Sequence, residues 1–218
     1  MIPNNPQPAP WLLHGKGYMF LLKLSKQDIE KDIFLNDFFK ERFKGGFGAM
    51  MLVEYWDSNA GPYNELLFIP GKFSYNNQKK NTISKIYVSS MDSVENGINN
   101  WAIPKELADI NFVKQDSKTE QIMAKKDGKV FFDLTVKSFG IKFPIHTAFM
   151  PFPLVQLKDG KSYYTNFSGS GMAKFVKIKN LEIVSSYFPK ISKKQIFAGI
   201  KIEPFKICFP EAIVRDNE

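Results

Sequence analysis

Cysteine, arginine and histidine are nearly missing from this chain. Cys208 is the single cysteine among 218 residues, so an intrachain disulfide is excluded. With Ile207 and Phe209 beside it, it reads as a small core residue of a strand. Arginine occurs only at Arg42 and Arg215. Arginine is the side chain best suited to bidentate phosphate and base contacts. The formal net charge of +8 is carried by scattered lysines, among them the doublets Lys79-Lys80, Lys125-Lys126 and Lys193-Lys194. It therefore describes a solvated surface and no specific nucleic-acid interface. The two histidines, His14 and His146, lie far apart with no cysteine or acidic cluster near them, which argues against a metal site. No apolar run approaches a membrane span. The polar, proline-rich first ten residues lack the basic and apolar regions of a secretory signal, and a cytoplasmic protein is the default expectation. Ser168-Gly169-Ser170-Gly171 is glycine-rich but has neither the lysine nor the following helix of a phosphate loop, and reads as a loop between strands.

What the chain does have is aromatic residues, 15% of the total and 21 of them Phe. They point to a packed interior with an aromatic-lined cavity. The length suits one domain, here 11–218, preceded by an extended arm over 1–10. Apolar Ile29, Ile33, Phe34 and Phe38 recur at helical spacing and predict an amphipathic helix over Lys26–Phe43, ended by Gly45-Gly46. Most of the rest is strand-like: 16–24, 47–56, 63–69, 82–90, and a meander from 111 to 138 with Lys126-Asp127-Gly128-Lys129 as its hairpin turn. Lys158-Asp159-Gly160-Lys161 is a second such turn, and Gly171–Ser185 and Gln195–Phe209 are long final strands. Many strands, few helices and no βαβ rhythm predict a mainly β (β-rich α+β) fold: a closed or nearly closed, antiparallel-rich barrel with one main helix near the N-terminus.

The stretch with most chemical content is Asn100-Trp101-Ala102-Ile103-Pro104-Lys105-Glu106-Leu107-Ala108. A lysine among apolar residues either snorkels its head to water or is buried, where desolvation disfavours the charged form. A neutral amine attacks carbonyls to form a Schiff base. The same residues also suit one helical turn over Lys105–Ala108, with Pro in its first turn.

With two further stretches, this one resembles the acetoacetate decarboxylase superfamily. The first is His14-Gly15-Lys16-Gly17-Tyr18, leading into an apolar strand. The second is Gly61-Pro62-Tyr63-Asn64-Glu65, a Tyr-x-Glu opening a strand. The third runs from Gly97 to Ala108, with Pro104-Lys105 on the family's Pro-Lys. The resemblance covers most of residues 11 to 210 and implies a β-barrel or cone. It also implies Lys105 as the Schiff-base lysine and Glu65 as the carboxylate beside it. Lys16 stands where the family commonly has an arginine facing the substrate carboxylate, and Tyr63 and Trp101 would contact substrate. No cofactor and no metal are implied.

Four departures accompany it. The family's second lysine is replaced by Glu106, and its Arg-Glu pair by Ile98-Asn99. A further acidic residue falls near Met50 or Met51, and the segment between Ser185 and Gln195 is shorter. The chemistry implied is decarboxylation of a small or medium β-keto acid through an iminium. Two alternatives are aldol or dehydration chemistry on a keto acid by the same iminium, and a non-catalytic barrel binding an apolar small molecule. The partner expected is thus a small-molecule keto acid or apolar ligand, with a homo-oligomer allowed and neither a specific nucleic acid nor a membrane involved.

Overall fold

A computed structural model describes residues 3–149 and 151–216. In chain order the elements are β1 (Trp11–Lys23), α1 (Lys26–Glu30), α2 (Asp37–Lys40), β2 (Phe47–Asp57), β3 (Tyr63–Ile69), β4 (Lys72–Tyr75), β5 (Gln78–Asn81) and β6 (Lys85–Val88). Then come α3 (Met91–Trp101), β7 (Lys105–Leu107), β8 (Asp109–Lys114), β9 (Thr119–Lys126), β10 (Lys129–His146), β11 (Leu154–Lys158), β12 (Lys161–Thr165), β13 (Ser168–Ile183), β14 (Ile196–Phe209) and β15 (Ile213–Asp216).

Ten strands form one sheet in the order β7-β6-β3-β2-β1-β14-β13-β10-β9-β8. Its two edge strands are consecutive in sequence and separated only by Ala108. The Ala108 amide donates to the Val88 carbonyl (3.0 Å), and Asn64 Nδ2 donates to the Ile110 carbonyl (2.7 Å), so β8 folds back onto β3. The sheet thereby curls into a nearly closed barrel, as the alternation predicts. Side chains from strands all around it, including Phe20, Leu52, Leu66, Tyr87, Ile122 and Phe132, pack into one buried cluster, the barrel interior. The opposite face of β1, β2, β3 and β6 packs a second cluster with Trp11, Val53, Leu67, Ile86, Trp101 and Leu154. That face is covered by α3 and by a five-stranded sheet ordered β15-β12-β11-β5-β4.

Both Asp-Gly turns are hairpins. Asp127 and Gly128 connect β9 to β10 with φ of 51° and 75°, and Asp159 and Gly160 connect β11 to β12 with φ of 50° and 71°. Positive φ at both central residues matches the right-handed twist of the flanking strands. The glycine-rich segment 168–171 is not a loop but the start of β13, paired with β14. A Cβ on Gly169 would sit 2.7 Å from the Lys206 carbonyl oxygen, so glycine there permits a close approach of two backbones.

The helix expected over 26–43 is broken in two. α1 starts with a capping box between Ser25 and Asp28. The chain then turns: Asp32 Oδ1 accepts from the Phe34 amide (2.9 Å), and Asn36 Oδ1 accepts from the Phe38 amide (2.8 Å) to start α2. Short acidic and amide side chains offer the backbone local partners that compete with helix, and Ile33 is left 71% exposed. The longest helix is instead α3. Its Met91–Trp101 sequence holds three Asn and one Gly, which are weak helix formers, and partners from outside support it. The N-terminal arm lies along it: the Asn4 amide donates to Glu95 (2.7 Å), the Gln7 amide to Asn96 (2.7 Å), and Asn100 Nδ2 to the Gln7 carbonyl (2.8 Å). The first two residues of that arm lie outside the described residues. No described helix is long and apolar enough to cross a membrane.

The helical turn expected at Lys105–Ala108 is likewise corrected. Ala102 adopts a left-handed conformation (φ 55°) and closes α3. Pro104 biases Ile103 to an extended conformation, and Lys105–Leu107 then pairs in parallel with β6.

Candidate functional site

Side chains alternate between the two faces of a strand, and directly paired residues share a face. Gly17, Val53, Glu65 and Val88 form one cross-strand row on the outer face of the barrel. Lys105 is paired with Ile86, and Ile86 with Leu67, all on that same face. Lys105 and Glu65, from strands separated in sequence by β4, β5, β6 and α3, thus meet. Lys105 Nζ lies 3.2 Å from Glu65 Oε2 and donates to Ser93 Oγ of α3 at 2.9 Å. Glu65 Oε1 accepts from the Tyr55 hydroxyl at 3.1 Å. The side chains of the pair are only 5% and 6% exposed. Nζ also stands 5.2 Å from the ring centre of Tyr63 and 5.9 Å from that of Trp11, within reach of cation–π attraction. Burial, with the nearby Glu65 carboxylate, holds the Tyr55 and Tyr63 phenols well above their usual range, so both stay protonated as donors.

The aliphatic stem of Lys105 runs against Gly97 of α3. A Cβ there would fall 2.6 Å from Lys105 Cδ and 2.8 Å from Cε. Glycine at this helix position makes room for the lysine.

Around the pair lies a cavity of about 160 Å³. Its walls are Trp11, Leu13, Met51, Val53, Tyr63, Trp101, Ile103, Phe152, Leu154 and Phe205, with Lys105 and Glu65 among them. His146 and Ser170, at the junction of β10 and β13, also line it and are exposed, so they mark its mouth. The indole Nε1 atoms of Trp11 and Trp101 donate to the carbonyls of Gln7 (2.9 Å) and Pro210 (2.7 Å). The two rings meet edge to face at 5.1 Å. Of the residues singled out from sequence, Lys105, Glu65, Tyr63 and Trp101 converge here. Where the resemblance implies a further acid, Met51 lines the cavity and Met50 packs inside the barrel. Sequence reasoning did not single out Ser93, because the weak helix former α3 was not recognised.

Lys16 is the correction. It stands in the adjacent row, with Glu54 and Asn64, and faces the other side of the sheet. Its amine binds Glu120 at 2.6 Å and Glu54 at 3.0 Å and lies 5.5 Å from the ring centre of Phe112. Glu120 also accepts from the Tyr18 hydroxyl at 2.5 Å. Burial works against the charge on Lys16, but its bonds to Glu120 and Glu54 prevail and raise it above the ordinary lysine value. Burial likewise opposes ionisation of Glu120, and the Lys16 and Tyr18 bonds prevail to hold it low. The neighbour on the cavity side is Gly17, which carries no side chain. Lys16 therefore does not line the cavity around Lys105.

Glu106 also faces away. It shares the Tyr87 row and is gripped by Lys85 and by Lys126, the latter at 2.5 Å. Burial alone would push its carboxyl up, but the bonds from Lys126 and Lys85 prevail and lower it.

The barrel thus carries a lysine and a carboxylate buried on its outer face, beneath a covering helix. No family model and no curated protein sequence matches the chain. Solved structures do match over nearly its whole length. Acetoacetate decarboxylase from Legionella pneumophila subsp. pneumophila str. Philadelphia 1 is 13% identical, with a TM-score of 0.73, covering 95% of this chain and 88% of that one. The enduracididine biosynthesis enzyme MppR with HEPES buffer bound is 9% identical, with a TM-score of 0.66, covering 96% and 88%. An acetoacetate decarboxylase-like enzyme from Sphingomonas wittichii RW1 is 12% identical, with a TM-score of 0.65, covering 96% and 94%. The chain has the acetoacetate decarboxylase-like fold. At these identities the likeness is one of fold.

Proposed function

We propose that the protein is a Schiff-base-forming enzyme in which Lys105 is the nucleophile. The observation that carries this reading is the buried Lys105–Glu65 pair at 3.2 Å, set in an apolar cavity with a mouth to solvent. Attack on a carbonyl carbon requires the amine to give up a proton, and Glu65 Oε2 is the carboxylate oxygen in reach to take it. The tetrahedral adduct loses its oxygen as water and becomes an iminium, for which Glu65 can return the proton to the departing hydroxyl. The iminium then accepts the electron pair of a bond one carbon away. If that bond leads to a carboxylate, carbon dioxide leaves. If it leads to a hydroxylated carbon, a carbonyl fragment leaves. Either way an enamine results, which takes a proton on carbon and is hydrolysed by water to free the product and the amine.

The fold favours decarboxylase-like chemistry by analogy. Aldol or dehydration chemistry on a keto acid is the second reading, and for either reaction no lysine or arginine besides Lys105 lines the cavity among the described residues to hold the carboxylate. Reduction with borohydride in the presence of carbonyl compounds tests the common step. A covalent adduct on Lys105, absent in Lys105→Ala, is the expected result. Saturable ligand binding with no adduct under any condition would establish a binding protein instead.

A further inference from the structure

We infer that the Lys105 site takes an uncharged carbonyl compound with an apolar body, an alkyl or aryl ketone or aldehyde, in preference to a keto acid. The inference deepens the Schiff-base reading above and rests on it only for the covalent arm of the test. Its first basis is charge. Lys105 and Glu65 neutralise each other, so the floor of the cavity carries no net charge to receive an anion. Of the lysines next in sequence to lining residues, Lys16 is bound to Glu54 and Glu120, Lys85 to Glu106 and Lys201 to Glu203, while Lys206 is exposed and is not among the lining residues. His146 at the mouth is engaged by the backbone, its Nδ1 accepting the Ala148 amide (3.0 Å). A carboxylate entering the cavity would be desolvated beside Glu65, with no lysine or arginine besides Lys105 among the described lining residues to pair it, and burying such a charge is costly.

The second basis is the wall. Apart from Tyr18, Tyr55, Tyr63, the pair itself, and His146, Thr147 and Ser170 towards the mouth, the lining is Trp, Phe, Ile, Leu, Met and Val with two glycines. A carbonyl needs only one polar anchor, and the Lys105 amine supplies it at the floor. The apolar body then replaces water along the walls. On this basis each added methylene tightens binding by about fourfold until the cavity is full.

A matched pair tests the inference. Compounds 2-octanone and 2-oxooctanoate share a carbonyl and a hexyl chain and differ by a methyl against a carboxylate. Equilibrium dissociation constants for both, and for the shorter ketones acetone and 2-hexanone, are measured by titration calorimetry on the whole protein. The parent should bind 2-octanone about tenfold or more tighter than 2-oxooctanoate, with affinity rising along the ketone series. Glu65→Gln keeps the shape and leaves the Lys105 charge unbalanced, so the keto acid should gain at least about tenfold relative to the ketone. Equal or tighter binding of 2-oxooctanoate by the parent, or a ratio unmoved by Glu65→Gln, overturns the inference, as does failure of both ligands to bind. Borohydride trapping separates the two ideas. A ketone that binds and leaves no adduct ends the Schiff-base reading and keeps the ligand class. Trapping of the keto acid in preference ends the ligand class and keeps the Schiff base.

Discussion

Gly97 and Lys105 are in contact through an absent side chain: the space where a Cβ would stand, 2.6 Å from Lys105 Cδ, is what lets the lysine stem lie along α3. Two effects of opposite sign therefore meet in Gly97→Ala. A helix-interior alanine stabilises by about 1 kcal/mol over glycine, while forcing a methyl into a filled space costs about 1–3 kcal/mol. Thermal stability should change little or fall slightly. The rate of borohydride trapping at Lys105 should fall by about tenfold or more, because small displacements of a reacting group are expensive. Unchanged trapping in the folded variant would show that the amine does not depend on this contact.

Glu106 supplies a second expectation. It is adjacent to Lys105 yet bound across the sheet to Lys85 and Lys126. Glu106→Gln should leave the pH profile of Lys105 trapping where it is in the parent. It should also destabilise the fold by about 1–2 kcal/mol, because the buried Lys85 amine loses its carboxylate while Glu106 itself is part-exposed. Denaturant titration reads the second effect. A shifted trapping profile would mean that Glu106 reaches the site.

The Lys16–Glu120 pair sets a third, with a defined pH sign. Glu120 is held below its ordinary value of 4.5, so its contribution is present above that pH and is lost as pH falls through its lowered value. Lys16 is held above 10.5, so its contribution is present below that pH and is lost as pH rises through its raised value. Between the two, stability from this pair is flat. Lys16→Met leaves Glu120 buried, with Tyr18 and the more distant Lys201 (3.9 Å). The variant should lose about 2–3 kcal/mol at neutral pH, and its deficit relative to the parent should narrow as pH falls through the lowered Glu120 value. Trapping at Lys105 should be unaffected while the variant is folded. A trapping defect without a stability loss would place Lys16 in the site after all.

Much of the barrel was legible because its signals are local. The turns Lys126–Lys129 and Lys158–Lys161 need only two residues at positive φ, and strand alternation needs only the next neighbour. The helical pattern of Ile29, Ile33, Phe34 and Phe38 misled because Asp32 and Asn36 capture backbone amides within two residues, a competition that periodicity does not weigh. Helix α3 was invisible for the converse reason: its stability comes from Asn4, Gln7 and Ser90, outside its own span. Around the cavity, Lys105 was marked by its apolar neighbours, and Glu65, Tyr63 and Trp101 were marked only through the family resemblance. Lys16 was misplaced, because the pairing of β1 shifts register beside Gly15 on both sides. Residue type alone does not say which side of a sheet a lysine faces.

The alternation that sends Lys105 and Glu106 to opposite sides makes this architecture tolerant of one kind of genetic change and brittle to another. Point substitutions on the cavity face can drift, altering what the cavity accepts, while the barrel interior keeps its own packing. A one-residue deletion between Ala102 and Lys105 that preserved the β6–β7 pairing would swap the two sets of charges, carrying the carboxylate of Glu106 to the cavity and the amine to the far side. Divergence within such a lineage should therefore accumulate as replacements in these strands and as length changes in the hairpins. Equivalence between distant members is better judged by the parity of a position in its strand than by the charge of the residue that occupies it.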